Sequence, residues 1–229
     1  MSHLRTLILF SALSLLCLGN PSQAQEYEYD PDIGEEINEL CAGCHGEFGQ
    51  GGKEGEYPRI AGQPLEFIRN QLRLFRDRVR KNFAMVEYID DRQLPEPEIY
   101  HISRYLAEIE LQTQLPPANE DDPDFDAYAR LLASKQIMQV PRAEGNVERG
   151  EKIYSKECDT CHGKEGWGHE EKAVPMLAGQ YTSYLWVQVK KLRKLERIHD
   201  VDSPNEELLN EFTDEELTDI FAYLSTVDD

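Results

Sequence analysis

The pentapeptide Cys41-Ala-Gly-Cys44-His45 is written again as Cys158-Asp-Thr-Cys161-His162, 117 positions further along a chain of 229 residues. Two cysteines one helical turn apart put both thiols on one face, and the histidine after them can bind a metal held over that turn. This is the spacing of covalent haem attachment, with two thioethers to the vinyl groups and an axial imidazole. A chain that carries the word twice must build two such sites. Cys41, Cys44 and His45 serve one, and Cys158, Cys161 and His162 the other. The sequence has five cysteines, and Cys17, the fifth, lies in an N-terminal leader. No thiol is left over for a disulfide. A four-thiolate zinc site is the rival reading, but its pairs normally lie closer together and it has no use for a histidine after each. A dithiol redox motif would sit in a strand–helix context and would not come as a matched pair.

The leader has the form of a secretory signal: Arg5, an apolar run from Leu7 to Leu18, then Ser22-Gln-Ala24 with small residues at the cleavage positions. Cleavage is expected after Ala24, and periplasmic export follows, since covalent haem attachment in bacteria takes place outside the cytoplasmic membrane. The apolar run falls short of the ~20 residues of a membrane span. Leu16 is large for the position before a lipid-modified Cys17, which leaves a lipid anchor as the lesser alternative. The whole chain has a formal net charge of −20, and losing Arg5 with the leader makes it −21. Nucleic acid and anionic membrane are therefore poor partners for it. A basic patch on a partner or a saline or alkaline habitat accounts for such acidity, and so does solubility alone.

The duplication reaches beyond the pentapeptides. Thirteen residues after each motif histidine a proline opens a shared phrase, Pro58-Arg-Ile-Ala-Gly62-Gln63 and Pro175-Met-Leu-Ala-Gly179-Gln180. A helical run follows each phrase, with Phe67, Gln71, Phe75 and Arg76 matched by Tyr184, Gln188, Leu192 and Arg193. Each half closes on a second amphipathic helix, ending Tyr105-Leu106 or Tyr223-Leu224. Thr213-Asp-Glu-Glu216 reads as a capping box for the last helix, and Pro95 and Pro97 start its counterpart. A further helix is expected before each motif, over 33–40 and 147–157. The expected fold is all-α, with residues 1–24 removed, one domain over 25–113, an acidic linker with a helix over 114–145, and a second domain over 146–229. In the linker, 126–139 has helical periodicity with Tyr128, Leu131, Leu132 and Met138 as apolar points. Halves this small bury little core of their own, so the haem-free chain is expected to fold poorly.

In combination these motifs resemble the dihaem class I cytochromes c of the cytochrome c4 type, over nearly all of the chain after the leader except the linker helix. The resemblance implies two tandem class I cytochrome c domains, each with one covalently bound haem c. It implies that the carbonyls of Pro58 and Pro175 orient His45 and His162. It also implies a distal methionine in the loop after the middle helix, and Met85 occupies that place in the first half. The second half departs from the pattern: Asp202 aligns with Met85, and no methionine follows Met176. His199 is in the corresponding loop and is the candidate distal ligand, with His169 the lesser one and a ligand from another chain a further alternative. Methionine ligation raises the potential and bis-histidine ligation lies lower. Electrons would then enter at the C-terminal haem and leave from the N-terminal one.

The leading function is a periplasmic carrier of single electrons between redox proteins, with oligomerisation possible. The alternatives are a small haem enzyme, a peroxidase or sulfur-compound oxidase working at an open second haem, and an electron-transfer subunit of a larger complex or filament. Two basic stretches, Arg73 to Lys81 and Lys190 to Arg197, read either as solvated helix faces or as sites for propionates or an acidic partner.

Overall fold

The computed structural model describes residues 27–89, 92, 94–199 and 207–227. The leader with its cleavage position, and Asp202, lie outside the described residues. In the first half, helix α1 covers Pro31–His45. It starts at Asp30, whose carboxylate accepts from the Asp32 N–H at 3.0 Å, with proline in the first turn. The expected 33–40 segment thus runs on through the whole pentapeptide, because nothing in Cys-Ala-Gly-Cys-His breaks a helix. Gly46 stops it at a φ of 83°. Helix α2 covers Leu65–Arg76, α3 Phe83–Tyr88 and α4 Glu96–Glu108, the last led in by Pro95. The linker carries α5, Ala127–Ser134.

The second half repeats the plan with α6 (Val147–Glu157), α7 (Asp159–His162), α8 (Thr182–Arg193) and α9 (Asp214–Leu224). The capping box forms as expected, with Thr213 Oγ1 accepting from the Glu216 N–H and Glu216 accepting in return from the Thr213 N–H. One difference between the halves lies just before the motif histidine. Gly34 and Gly150 occupy equivalent places, yet the second half has one more residue between that glycine and the motif histidine. The extra residue is taken up at Cys158, which separates α6 from α7 where α1 is continuous. Asn38 and Tyr154, four residues after these glycines, keep equivalent jobs. Each bonds a carbonyl of the loop beyond the motif, Glu47 at 2.9 Å and Gly163 at 2.8 Å.

In each half the helix that bears the motif crosses the last helix, α1 on α4 and α6 on α9. Ile68, Phe75, Ile99, Ile102 and Leu106 are buried around the first crossing. Leu185, Val189, Leu217, Ile220 and Leu224 are buried around the second. These are thin cores, as the lengths of the halves required. Close approach needs a glycine at each crossing. A Cβ on Gly34 would lie 2.6 Å from the Tyr105 Cβ, and one on Gly150 would overlap the Asp219 backbone carbonyl.

The linker helix is shorter than the periodicity of 126–139 suggested. It ends at Ser134 because the chain turns at Lys135 and pairs with the first half, Met138 N–H donating to Gln112 O at 2.8 Å. Met138 and Val140 are buried with Ala61 and Leu111, whereas Tyr128, Leu131 and Leu132 on the helix itself remain exposed.

Two outcomes test this packing. Alanine in place of glycine inside a helix normally stabilises by about 1 kcal/mol. Gly150→Ala should instead lower stability by ~1–3 kcal/mol through overpacking, read as a fall in Tm. Asp219 is 3 % exposed, and its carboxyl is held below the usual carboxylate range by the Asn146 N–H and then by Arg149. A depressed folded pKa contributes stability above the unfolded value of about 3.9 and loses it as the pH falls through the folded value. Asp219→Asn should therefore be less stable than wild type at pH 7, with the gap closing in acid unfolding series.

Candidate functional site

Each site is built by a glycine-rich loop that follows its histidine. Both histidines open the same spacing of glycines, His45-Gly-x-x-Gly49-x-Gly51 and His162-Gly-x-x-Gly166-x-Gly168. All six glycines have φ between 65° and 83°. The Gly51 N–H donates to His45 O at 2.7 Å, and the Gly168 N–H to His162 O at 2.8 Å. Gly49 O accepts from the N–H groups of Ile60 and Ala61, and Gly166 O from those of Leu177 and Ala178. A Cβ on Gly168 would lie 2.6 Å from Val174 O, so the loop closes only with glycine there. The closure carries the proline of each phrase back beneath its histidine.

The two proximal histidines are consequently held alike. His45 Nδ1 is 2.9 Å from Pro58 O, and His162 Nδ1 is 3.0 Å from Pro175 O. A carbonyl only accepts, so Nδ1 carries the proton and Nε2 is left with the lone pair. Burial keeps both rings neutral: it lowers the His45 pKa and pushes His162 down to about 4. A neutral imidazole with its Nδ1–H donated to a carbonyl is the arrangement of a metal ligand. Cys41 and Cys158 are not activated thiolates, since burial pushes Cys41 up to about 11 and Cys158 up to about 12. Among the described residues no three His, Cys, Asp or Glu side chains gather as a metal cluster, so the two Cys pairs do not form one zinc site.

Beyond the proximal side the halves diverge. Met85 falls on α3, a short helix where a loop was expected, and is half-buried against the core of the first half. In the second half the His199 ring centroid lies 6.1 Å from that of His162, with the planes at 51°. Two imidazoles that share one metal at ~2.0 Å each have centroids about 6 Å apart, so this separation suits a shared iron. His169 pairs its backbone with Val174. His101 is a structural histidine that accepts from the Asp30 N–H at 3.2 Å.

The basic stretches do several jobs. Arg73 and Arg76 pair with Glu96, and Arg193 with Asp214 at 2.6 Å. Arg80 and Arg197, from opposite halves, instead converge on Gln188, Arg80 at 3.2 Å and Arg197 at 2.8 Å. Arg80 also donates to the Tyr184 hydroxyl at 3.1 Å and to Gln71 at 2.6 Å. Burial, and then the neighbouring Arg80 charge, push Arg197 down to about 10. Among the described residues neither guanidinium pairs with a carboxylate, and uncompensated charge of this kind suits the acid side chains of a haem.

A second set of contacts joins the halves through the repeated phrase. Gln63 accepts from the Met176 N–H and donates to Met176 O, both at 3.0 Å. Gln180 accepts from the Arg59 N–H at 3.0 Å and donates to Arg59 O at 2.9 Å. Both glutamines are buried, and each grips the residue that follows the other half's proline.

The paired motifs, their histidine–proline bonds and the helical plan that the halves share define tandem class I cytochrome c domains with covalently bound haem c. Residues 147–228 match the cytochrome c family. The chain is 29% identical over 187 residues to the "Thiosulfate dehydrogenase electron acceptor" of Stutzerimonas stutzeri (strain A1501), covering 82% of this chain and 78% of that one. It is 28% identical over 197 residues to "Cytochrome c4" of Thiocapsa roseopersicina, covering 85% of this chain and 91% of that one. The structure of reduced cytochrome c4 from Pseudomonas stutzeri superposes with a TM-score of 0.67 at 18% identity, over 87% of this chain and 100% of that one. In sequence the chain is similar to the dihaem cytochromes c4, and in fold it is similar to them over both halves, with a Cys-x-x-Cys-His word for one haem c in each half. Among the described residues no helix is long and apolar enough to cross a membrane.

Covalent loading is open to a direct test. Intact-mass and iron analysis of the exported protein should show two haems, and Cys158→Ser with Cys161→Ser should remove one mass and one iron.

Proposed function

We propose that this c4-type electron carrier works in the periplasm, passing single electrons between redox proteins, with a sulfur-oxidising enzyme of the thiosulfate dehydrogenase class as its donor. The donor class rests on the relative whose name makes it the electron acceptor of such an enzyme. Haem supplies reversible one-electron chemistry. The chain supplies the tethers and the ligands: Cys41 and Cys44 with His45, Cys158 and Cys161 with His162, and the prolyl carbonyls of Pro58 and Pro175 that orient the rings. Met85 and His199 are the distal ligands in this reading.

The observation that carries it is the 6.1 Å separation of His162 and His199. A second histidine at that distance closes the second iron to small ligands and disfavours the peroxidase or oxidase alternative. Unlike ligand sets also give the two centres different potentials, so electrons enter at the C-terminal haem and leave from the N-terminal one.

Low-temperature paramagnetic resonance and carbon monoxide binding test the ligands. The wild-type protein should show one bis-histidine and one histidine–methionine signal and resist rapid carbon monoxide binding. His199→Ala should lose the bis-histidine signal and bind carbon monoxide quickly. An unchanged second-haem signal in that variant would end the assignment. Stopped-flow mixing with a reduced thiosulfate dehydrogenase should reduce the protein, C-terminal haem first, and a lack of electron transfer would remove the donor.

A further inference from the structure

Gln63 and Gln180 close the phrase that each proline opens, and each reaches the opposite half. Their partners are informative. The Pro58–Arg59 peptide group accepts through its C=O from His45 Nδ1 at 2.9 Å and donates through its N–H to Gln180 Oε1 at 3.0 Å. The Pro175–Met176 peptide group does the same with His162 at 3.0 Å and Gln63 at 3.0 Å. One peptide unit thus stands between each proximal histidine and the other half's glutamine. Gln63 is 4% exposed, Gln180 5% and Met176 3%, so water screens these bonds little.

Hydrogen bonds in series polarise one another, by roughly 10–30% per bond. An acceptor at the peptide N–H makes its C=O a better acceptor. The C=O then draws more strongly on the histidine Nδ1–H, which makes Nε2 a stronger donor to iron and favours the oxidised state. We propose that Gln180 tunes the N-terminal haem and Gln63 the C-terminal haem, each as a positioning residue acting across the interface through a peptide group. The inference rests on His45 and His162 being the proximal ligands.

The test uses the full dihaem protein and single variants, Gln180→Met and Gln63→Met, which keep length and lose both hydrogen bonds. Each variant keeps the other clasp. Redox titration is followed by nuclear magnetic resonance, with each wave assigned through the iron-shifted signals of its own proximal histidine. Gln180→Met should raise the potential of the His45 haem and leave the His162 haem in place, and Gln63→Met should do the reverse. The expected size is a two- to fivefold change in the reduction constant, or about 20–40 mV at 59 mV per decade. The Nδ1 proton of the affected histidine should also exchange faster. Equal movement of both waves marks a merely structural interface and overturns the inference, as does movement of the same-side haem or of neither. If His45 and His162 lack iron-shifted signals in the wild type, the ligand assignment fails instead, and the two failures are told apart.

Discussion

The bond from a histidine Nδ1–H to a prolyl carbonyl, made once in each half, is the constraint around which the structure is arranged. It fixes which nitrogen is free to bind iron and how the ring is turned. To make it, a chain segment 13 residues away must come back beneath the ring. The three glycines after each histidine accomplish that return, because their positive φ values let the loop close on its own carbonyls. The helix that bears the motif must then be anchored, and the crossings at Gly34 and Gly150 anchor it. The phrase that supplies the proline also supplies the glutamine that reaches the other half, so ligand orientation and domain pairing share one stretch of sequence.

Much of this was legible before the structure. The double pentapeptide, the proline at matched distance and the capping box each carry a local mechanism, and each forms as the residues require. The glycine spacing after each histidine was equally visible and went unread, although a repeat comparison extended by six residues would have shown it. Other features are not local. Gln63 and Gln180 look like letters of a helix lead-in, and only the packing of the two halves reveals their partners. The extent of the linker helix was overestimated because 126–139 keeps helical periodicity past Ser134. Tertiary pairing of Met138 with Gln112 overrides that periodicity. The basic stretches show the same limit, since only the fold separates the arginines that pair with acids from Arg80 and Arg197.

The second half keeps the frame of the first while its distal residues differ. The loop bonds, the proline and the helix crossing are retained, and the inserted residue is absorbed at Cys158. On the distal side Met85 sits on α3 in the first half, whereas in the second His199 sits near His162 and no methionine follows Met176.

The linker is long in sequence, yet its last residues are held on both halves. Met138 and Val140 are buried on the first half, while Arg142 donates to Ser225 O and the Ala143 N–H to Ser225 Oγ at 2.9 Å on the second. Most of the 114–145 segment is therefore an excursion that leaves and rejoins one half. The true tether is the step across Pro141. A join this short keeps the halves together, so the two glutamine clasps form at high effective concentration.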